Sequence, residues 1–512
     1  MFSLTLMTSL IIFVDSAFSA NILCVLPYFG MSHHMAFSTY IQKLADNGHN
    51  LTIISPYPSN HPNITEISMS AVVDPNYNKR QLPDKTGYSL DQAFRSLYRF
   101  YQRGQHNAAL FQVDSVKRFY TDDSSEFDLL ITEHFNNEIP LVFAMKYNVP
   151  FILLSSCGLL PWSQRAVGQP YNVATVSSVL GGYNKKMNVF ERAMNAFEVV
   201  VYVLGYVLFF QTARDEEIIK TNLGVDVSLA KLVQNASMIF VNTHYSMHGT
   251  VPVVPAVVEV GGLHIKPKTS LSADIQQFID ESEHGVIYFC MGSLLRGETF
   301  AAEKRSMFLN AFQKLPQRVL WKWENDDLPD KTANIMIRKW MPQRDILAHP
   351  KVKLFISHGG LLGLTEAVHE GVPTLAMPIF GDQLTNVKAI MDTGAAEILD
   401  YNTLSEIEIF SKAKEMLTNP IYKQKATKLS EVFRDRPMSP METAMYWTEY
   451  VIRHKGAPHL RSPAVGMPWY QYYMIDIISM LLICVFAILL SLHYFISTIL
   501  SLLRPSKKLK IN

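Results

Sequence analysis

The sequence predicts an α/β protein of two doubly wound, Rossmann-like domains facing each other across a cleft, followed by one C-terminal transmembrane helix. Three observations carry that expectation. Apolar runs of strand length alternate with helical patterns in both halves of the chain, the alternation that builds parallel sheets. The stretch VGGLHIKPKTSLS, residues 260–272, is rich in Gly, Pro, Lys and Ser and reads as the start of a linker near 265. Finally, Ile477 to Leu503 is a run of 27 residues without Asp, Glu, Lys or Arg, long enough to cross a bilayer core of ~30 Å with some tilt.

The 512 residues exceed the usual size of one domain, and a net charge of +1 offers no electrostatic case for nucleic acid. Residues 2–14, FSLTLMTSLIIFV, are apolar or hydroxylic and are followed by Ala17, Ser19 and Ala20, which predicts a secretory signal peptide over 1–20. At the far end Tyr470, Tyr472 and Tyr473 precede the apolar run, and Arg504, Lys507, Lys508 and Lys510 follow it. By the positive-inside rule the tail is cytosolic and the body luminal. The closing KLKIN sets its lysines as in lysine-based retrieval signals of endoplasmic-reticulum membrane proteins, and the sequons at Asn50, Asn63 and Asn235 are compatible with luminal exposure. Of the four cysteines, Cys484 lies in the predicted span, while Cys24, Cys157 and Cys290 sit in apolar runs without CxxC or Cys/His spacing. They read as buried thiols.

In order along the chain, residues 21–27 form a buried strand, about 33–46 a helix, and 51–55 a second strand after an Asn-Gly turn, a βαβ opening. Strands follow at 129–132 and 149–156. The apolar stretch within 190–211, interrupted by Glu198 and Gly205, reads as a core helix, a lid or a surface dipping into the membrane. Beyond the linker, strands are expected at 285–293, 318–323, 335–338, 353–357 and 373–377.

The chemistry concentrates in FISHGGLLGLTEAVHEGVPTLAMPIFGDQLTN, residues 355–386. A strand ends at Ser357, and the turn His358-Gly359-Gly360 opens a helix whose unpaired amides suit an anionic diphosphate. Glu366, two helical turns on, can accept bonds from vicinal hydroxyls. Asp382 and Gln383 pair a carboxylate with an amide, a set that both accepts from and donates to sugar hydroxyls. Upstream, Trp340 and Gln343 lie in KWMPQRDILAHP, where an indole can stack on a base.

In this order of residues, from Trp340 to Gln383, the sequence resembles the UDP-glycosyltransferase family, and VEVGGLHI (258–265) and PYFGMSH near the N-terminus are similar to the family's insect members. The resemblance implies a GT-B fold with an acceptor-binding domain over 21–265, a UDP-sugar domain over 283–440, a returning segment over 441–470 and a membrane anchor, which joins the reading of the residues as a signal peptide over 1–20, a linker over 266–282, a membrane helix over 477–503 and a basic tail over 504–512. It implies that Trp340 stacks on uracil, that Gln343 and Glu366 contact the ribose, that Ser293, His358, Gly359 and Gly360 hold the diphosphate, and that Asp382 and Gln383 contact the sugar.

The resemblance also places the general base at His33, with His34 as its neighbouring competitor. Glycosyl transfer needs a group that takes the acceptor's proton, and imidazole titrates in the right range. An orienting carboxylate belongs after the strand FDLLIT, where relatives carry Asp and this chain carries Glu133, with Glu138 as the alternative. Leu362 stands where many members have Asn. Asn242 stands where several glucuronosyl-transferring members have Arg, which favours UDP-glucose over UDP-glucuronate. With no Asp-x-Asp and a helix end for the diphosphate, neither cofactor nor metal is expected. Single displacement on an α-linked donor then gives a β-glycoside and UDP, with a phenol, sterol or other lipophilic alcohol as acceptor. The rival readings are a non-catalytic luminal binding protein and a UDP-sugar epimerase or hydrolase on the same fold.

Overall fold

The computed structural model describes residues 19–83, 86, 90–183 and 186–503. The signal-peptide reading falls largely, and the basic tail wholly, outside the described residues. Up to Ser462 the chain forms one compact unit, and the residues from Pro463 form another.

The first unit contains two parallel sheets. The first takes β1 (Asn21–Val25), β2 (Asn50–Ser55), β3 (Ile64–Ser68), β4 (Leu129–Glu133), β5 (Phe151–Ser155), β6 (Met238–Val241) and β7 (Val257–Glu259) in the order β3-β2-β1-β4-β5-β6-β7. The second takes β8 (Val286–Cys290), β9 (Arg318–Lys322), β10 (Ile335–Arg338), β11 (Val352–Ser357), β12 (Thr374–Ala376) and β13 (Ala396–Ile398) in the order β10-β9-β8-β11-β12-β13. Each order reverses once, between β1 and β4 and between β8 and β11. Loops leaving the carboxyl ends of strands at such a reversal diverge, and the crevice between them is where doubly wound sheets bind ligands.

Both faces of each sheet are covered, which explains the near-continuous apolar strands. Leu23 and Val25 pack with Ile54, Leu130 and Leu153 on one face of the first sheet, while Ile22 and Cys24 pack with Ile53, Leu129 and Ile131 on the other. That second face is closed by the helix Met31–Asp46 and by a helix from beyond the second sheet, Pro440–Arg453. The latter starts at a capping box in which Ser439 and Glu442 serve each other's backbone amides. It buries Ala444, Met445, Val451 and Ile452 in the first domain's core, and Thr448 Oγ1 lies 2.5 Å from Tyr40 Oη.

The stretch read as a linker holds a helix, Ala273–Asp280, because Ile275 and Ile279 find a site beneath β8 and β9. The apolar stretch at 190–211 belongs to one helical run, Val189–Leu223, that passes through a π-helical segment, Tyr206–Glu216. Tyr202, Tyr206 and Phe210 are fully buried in it, whereas Val200, Leu204 and Leu208 are exposed. It is thus partly a core helix and partly an apolar surface.

Contacts also run between the two sheets' domains. The backbone of Arg80 pairs with the loop after β8 through Arg80 N to Leu294 O and Arg296 N to Arg80 O, each 3.0 Å. Lys388 Nζ donates to Gly182 O at 2.7 Å, and Thr385 Oγ1 accepts from Gly182 N at 3.0 Å.

In the second unit the helix Ile475–Leu503 runs 29 residues, all exposed, with a mean hydropathy of 2.8 in its most apolar window. It is long and apolar enough to span a membrane.

Candidate active site

At the first reversal, β1 ends at Val25 and the helix Met31–Asp46 begins two residues earlier than its apolar pattern suggests, which puts His33 in its first turn. Pairing of Val25 with Thr132 brings the end of β4 alongside, so that Glu133, its last residue, faces the same crevice. His33 Nδ1 lies 2.6 Å from Glu133 Oε1. With the Nδ1 proton donated to that buried carboxylate, Nε2 is left as the basic nitrogen. Ser156 Oγ, just past the end of β5, lies 2.8 Å from the same Nδ1. The rings of Tyr28 and Phe135 flank the imidazole at 4.4 and 4.5 Å.

The alternatives occupy other positions. His34 turns toward Tyr57, at 5.2 Å, and its Nδ1 is buried without a hydrogen-bond partner among the described residues. Burial pushes its imidazole pKa down, against the pull of Glu133 and Glu66. Glu138 is committed to a buried network: His134 Nε2 donates to it at 2.8 Å and Gln211 Nε2 at 2.5 Å, while Ser163 Oγ meets His134 Nδ1 at 2.8 Å. Asn242 Nδ2 holds the Ser156 carbonyl at 3.0 Å, so this residue supports the turn beneath His33.

At the second reversal, pairing of Cys290 with Ser357 sends the loops carrying Ser293 and His358 off the sheet side by side. Glycine makes the approach possible. Gly292 and Gly359 have φ of +82°, and a Cβ on Gly292 or Gly360 would sit 2.5 Å from the His358 ring. Gly360 then caps the helix Leu361–Glu370 without a side-chain bond, leaving its first amides available to an anion. Burial, and secondarily the charge of Lys322, push the His358 imidazole down to about 4. It is neutral at physiological pH and can donate one N–H.

Gln343 Nε2 donates to Glu366 Oε2 at 2.7 Å, so these two residues meet on the helix side of the turn. Burial raises the Glu366 carboxyl to about 7, opposed by Gln343 and Arg344. Leu362 packs against the first domain's core, and its carbonyl accepts from His264 Nε2 at 3.2 Å. Trp340, after β10, is 62% exposed and presents its ring 5.9 Å from Lys322 Nζ. Asp382 accepts from Asn386 Nδ2 at 2.8 Å. Burial pushes its carboxyl up, and the nearby His33 is among the groups opposing that shift, which ties the two halves of the crevice together. Gln383 Oε1 accepts from Ile379 N and Phe380 N at 2.7 and 3.0 Å. Its acceptor is thus spent on the turn, and its NH₂ remains to donate.

The family model described as "UDP-glucoronosyl and UDP-glucosyl transferase" matches residues 21–508. The chain belongs to this family. The transferase is 44% identical to UDP-glycosyltransferase UGT5 of Dactylopius coccus, over 98% of each chain. It is 34% identical to UDP-glucosyltransferase 2 of the same organism, over 100% of each. Against UDP-glucuronosyltransferase 2B15 of Rattus norvegicus it is 32% identical, over 77% of this chain and 75% of that one. The crystal structure of LpCGTa in complex with UDP superposes with a TM-score of 0.53 at 17% identity, covering 85% of this chain and all of that one, a likeness of fold. The transferase is therefore a GT-B enzyme that uses a UDP-sugar.

Several contributors escaped the sequence reading, Tyr28 beside His33 among them. Ser156 lies in the run VPFILLSS, and only the pairing of Glu133 with Leu154 reveals that β5 ends beside β4. Phe135 follows Glu133 by two residues and reads as core. Lys322 closes β9 as an apparent surface lysine, yet its side chain is buried and paired with Glu324 at 2.7 Å.

Proposed function

We propose that the transferase moves glucose from UDP-glucose to a hydroxyl of a small lipophilic acceptor, with inversion, giving a β-glycoside and UDP. The observation that carries the reading is the His33–Glu133 contact of 2.6 Å in a crevice shared with Asp382. His33 takes the acceptor proton at Nε2 as the oxygen attacks the anomeric carbon. Glu133 orients the ring and stabilises the imidazolium that forms. UDP leaves from the opposite face, its diphosphate received by Ser293, His358 and the amides that begin the helix at Leu361. Trp340 stacks on uracil, Gln343 and Glu366 take the ribose, and Asp382 with the free NH₂ of Gln383 takes the glucose hydroxyls. Asn242 brings no positive charge for a sugar carboxylate, which supports glucose over glucuronate. The aromatic rings beside His33 suit phenols and sterols. The helix Ile475–Leu503 supports a membrane-anchored enzyme, and the Arg and Lys residues that follow it in the sequence support a luminal body in the endoplasmic reticulum; no metal is required.

The test incubates membranes carrying the full chain with UDP-glucose, UDP-glucuronate or UDP-galactose and a panel of phenols, with and without chelator, measuring glycoside and UDP together. Glycoside that tracks UDP, persists in chelator, is largest with UDP-glucose and vanishes in His33→Ala is the expected result. UDP release independent of acceptor, or turnover retained in the variant, refutes the reading.

A further inference from the structure

The helix Gln383–Met391 opens on Asp382 and Gln383, the proposed contacts of the sugar. One turn further along, the first domain takes hold of it through the backbone of Gly182. Gly182 N donates to Thr385 Oγ1 at 3.0 Å, and Gly182 O accepts from Lys388 Nζ at 2.7 Å. Thr385 and Lys388 are three residues apart and therefore share one face of the helix. The turn is shaped to that face: Gly182 has φ of +66°, and a Cβ on it would sit 2.6 Å from Leu384 Cδ2. On the other side, the chain enters the helix from its own domain past Gly381, at φ of +68° with nothing within 4 Å of where a Cβ would stand.

The turn at Gly182 is itself held from the acceptor side. Asn195, fully buried on the helix Val189–Gly205, accepts from Ser178 N at 2.7 Å and donates to Val173 O and Val176 O at 2.7 and 2.8 Å. Tyr183 Oη donates to Glu198 Oε1 of the same helix at 2.7 Å. Val179 Cγ2 stands 3.0 Å from the place of a Cβ on Gly158, two residues past the Ser156 that meets His33. Segment 178–183 thus reaches from the turn beneath the base to the helix of the sugar contacts.

We propose that Thr385 and Lys388, clasped by Gly182, are positioning residues for the sugar, so that the first domain sets where Asp382 and Gln383 stand and which hexose is transferred. The proposed nucleotide contacts, Trp340, Gln343, His358 and Glu366, lie on other elements. Loss of the clasp therefore moves the sugar contacts and leaves the grip on UDP as it was. A shift of about 1 Å in a positioning element is enough to cost up to ~10²-fold in rate.

The proposal rests on reading Asp382 and Gln383 as sugar contacts, and the experiment separates the two. Full-length enzyme in membranes is prepared as Thr385→Val with Lys388→Met, as Lys388→Arg, as Asp382→Asn, and as Lys423→Met. The last removes a lysine-to-carbonyl bond of the same 2.7 Å length, to Gly371 O, inside the second domain. Turnover of a phenol with UDP-glucose, UDP-galactose and UDP-glucuronate is measured beside the inhibition constant for UDP. In the double variant, kcat/KM for the preferred UDP-hexose should fall about 10- to 100-fold and the preference among sugars narrow, with the UDP constant held within about twofold. Lys388→Arg, still a donor to the carbonyl, should keep most of the activity, and Lys423→Met all of it. Unchanged kinetics in the double variant, or a UDP constant that rises in step with the loss, overturns the clasp. Sugar kinetics unmoved by Asp382→Asn fail the underlying assignment, whereas a loss there beside an unaffected double variant sinks the clasp alone.

Discussion

Glu133 reaches His33 Nδ1 at 2.6 Å from the last residue of its strand, so the longer side chain is accommodated without displacing the base. The expected cost of Glu133→Gln is a fall in kcat of about 10²–10⁴, as when the orienting carboxylate of a hydrolase triad is neutralised, with the donor KM little changed. Ser156→Ala removes a single neutral hydrogen bond and should cost only about fivefold. Steady-state kinetics on both variants checks the order. Glu366 gives a pH signature. Burial raises its carboxyl to about 7, and in the proposed contact ribose hydroxyls would donate to the ionised form. Donor KM should thus rise as pH falls through 7, by up to about tenfold per pH unit, and Glu366→Gln should flatten that dependence. Residues with a distinctive type at a distinctive interval, such as His358, Glu366 and Asp382, were legible in the sequence. Tyr28, Phe135 and Ser156 were not, because their roles arise from neighbouring strands and their types are those of any core.

The elements show the same division. Long apolar runs such as 285–293 and 353–357 were legible as strands because burial on both faces demands them. β7 and β13 have three residues each, too short for any periodicity, and β3, with the exposure pattern of an edge, offers mainly polar residues. The turn at Gly359 concentrates the most constraint. With φ at +82° and Val387 Cγ2 2.5 Å from any Cβ, Gly359→Ala should displace the helix Leu361–Glu370 from the diphosphate. A rise in the inhibition constant for UDP of roughly tenfold or more, about 1.4 kcal/mol, is expected in competition assays, with a smaller change for uridine.

For the whole molecule, the returning helix Pro440–Arg453 makes the first domain's core depend on residues beyond the second. Met445, 7% exposed in that core, should cost about 2–5 kcal/mol as Met445→Ala, read as a lowered midpoint of denaturant unfolding. Two domains and a cleft were legible from the repeated strand–helix alternation. The fastenings between them were not, since each has a backbone atom for at least one partner, and backbone atoms carry no residue signature.

One of those fastenings bears on how such enzymes are recombined. Arg80 of the first domain pairs by its main chain with the loop that carries Ser293, a proposed contact of the donor's diphosphate. On the proposed roles, an exchange of halves between relatives therefore transplants part of the nucleotide grip along with the acceptor pocket. Hybrids joined at the linker should inherit donor affinity from both parents, and grafting 80–82 alone should move that affinity toward the parent that supplied the second half.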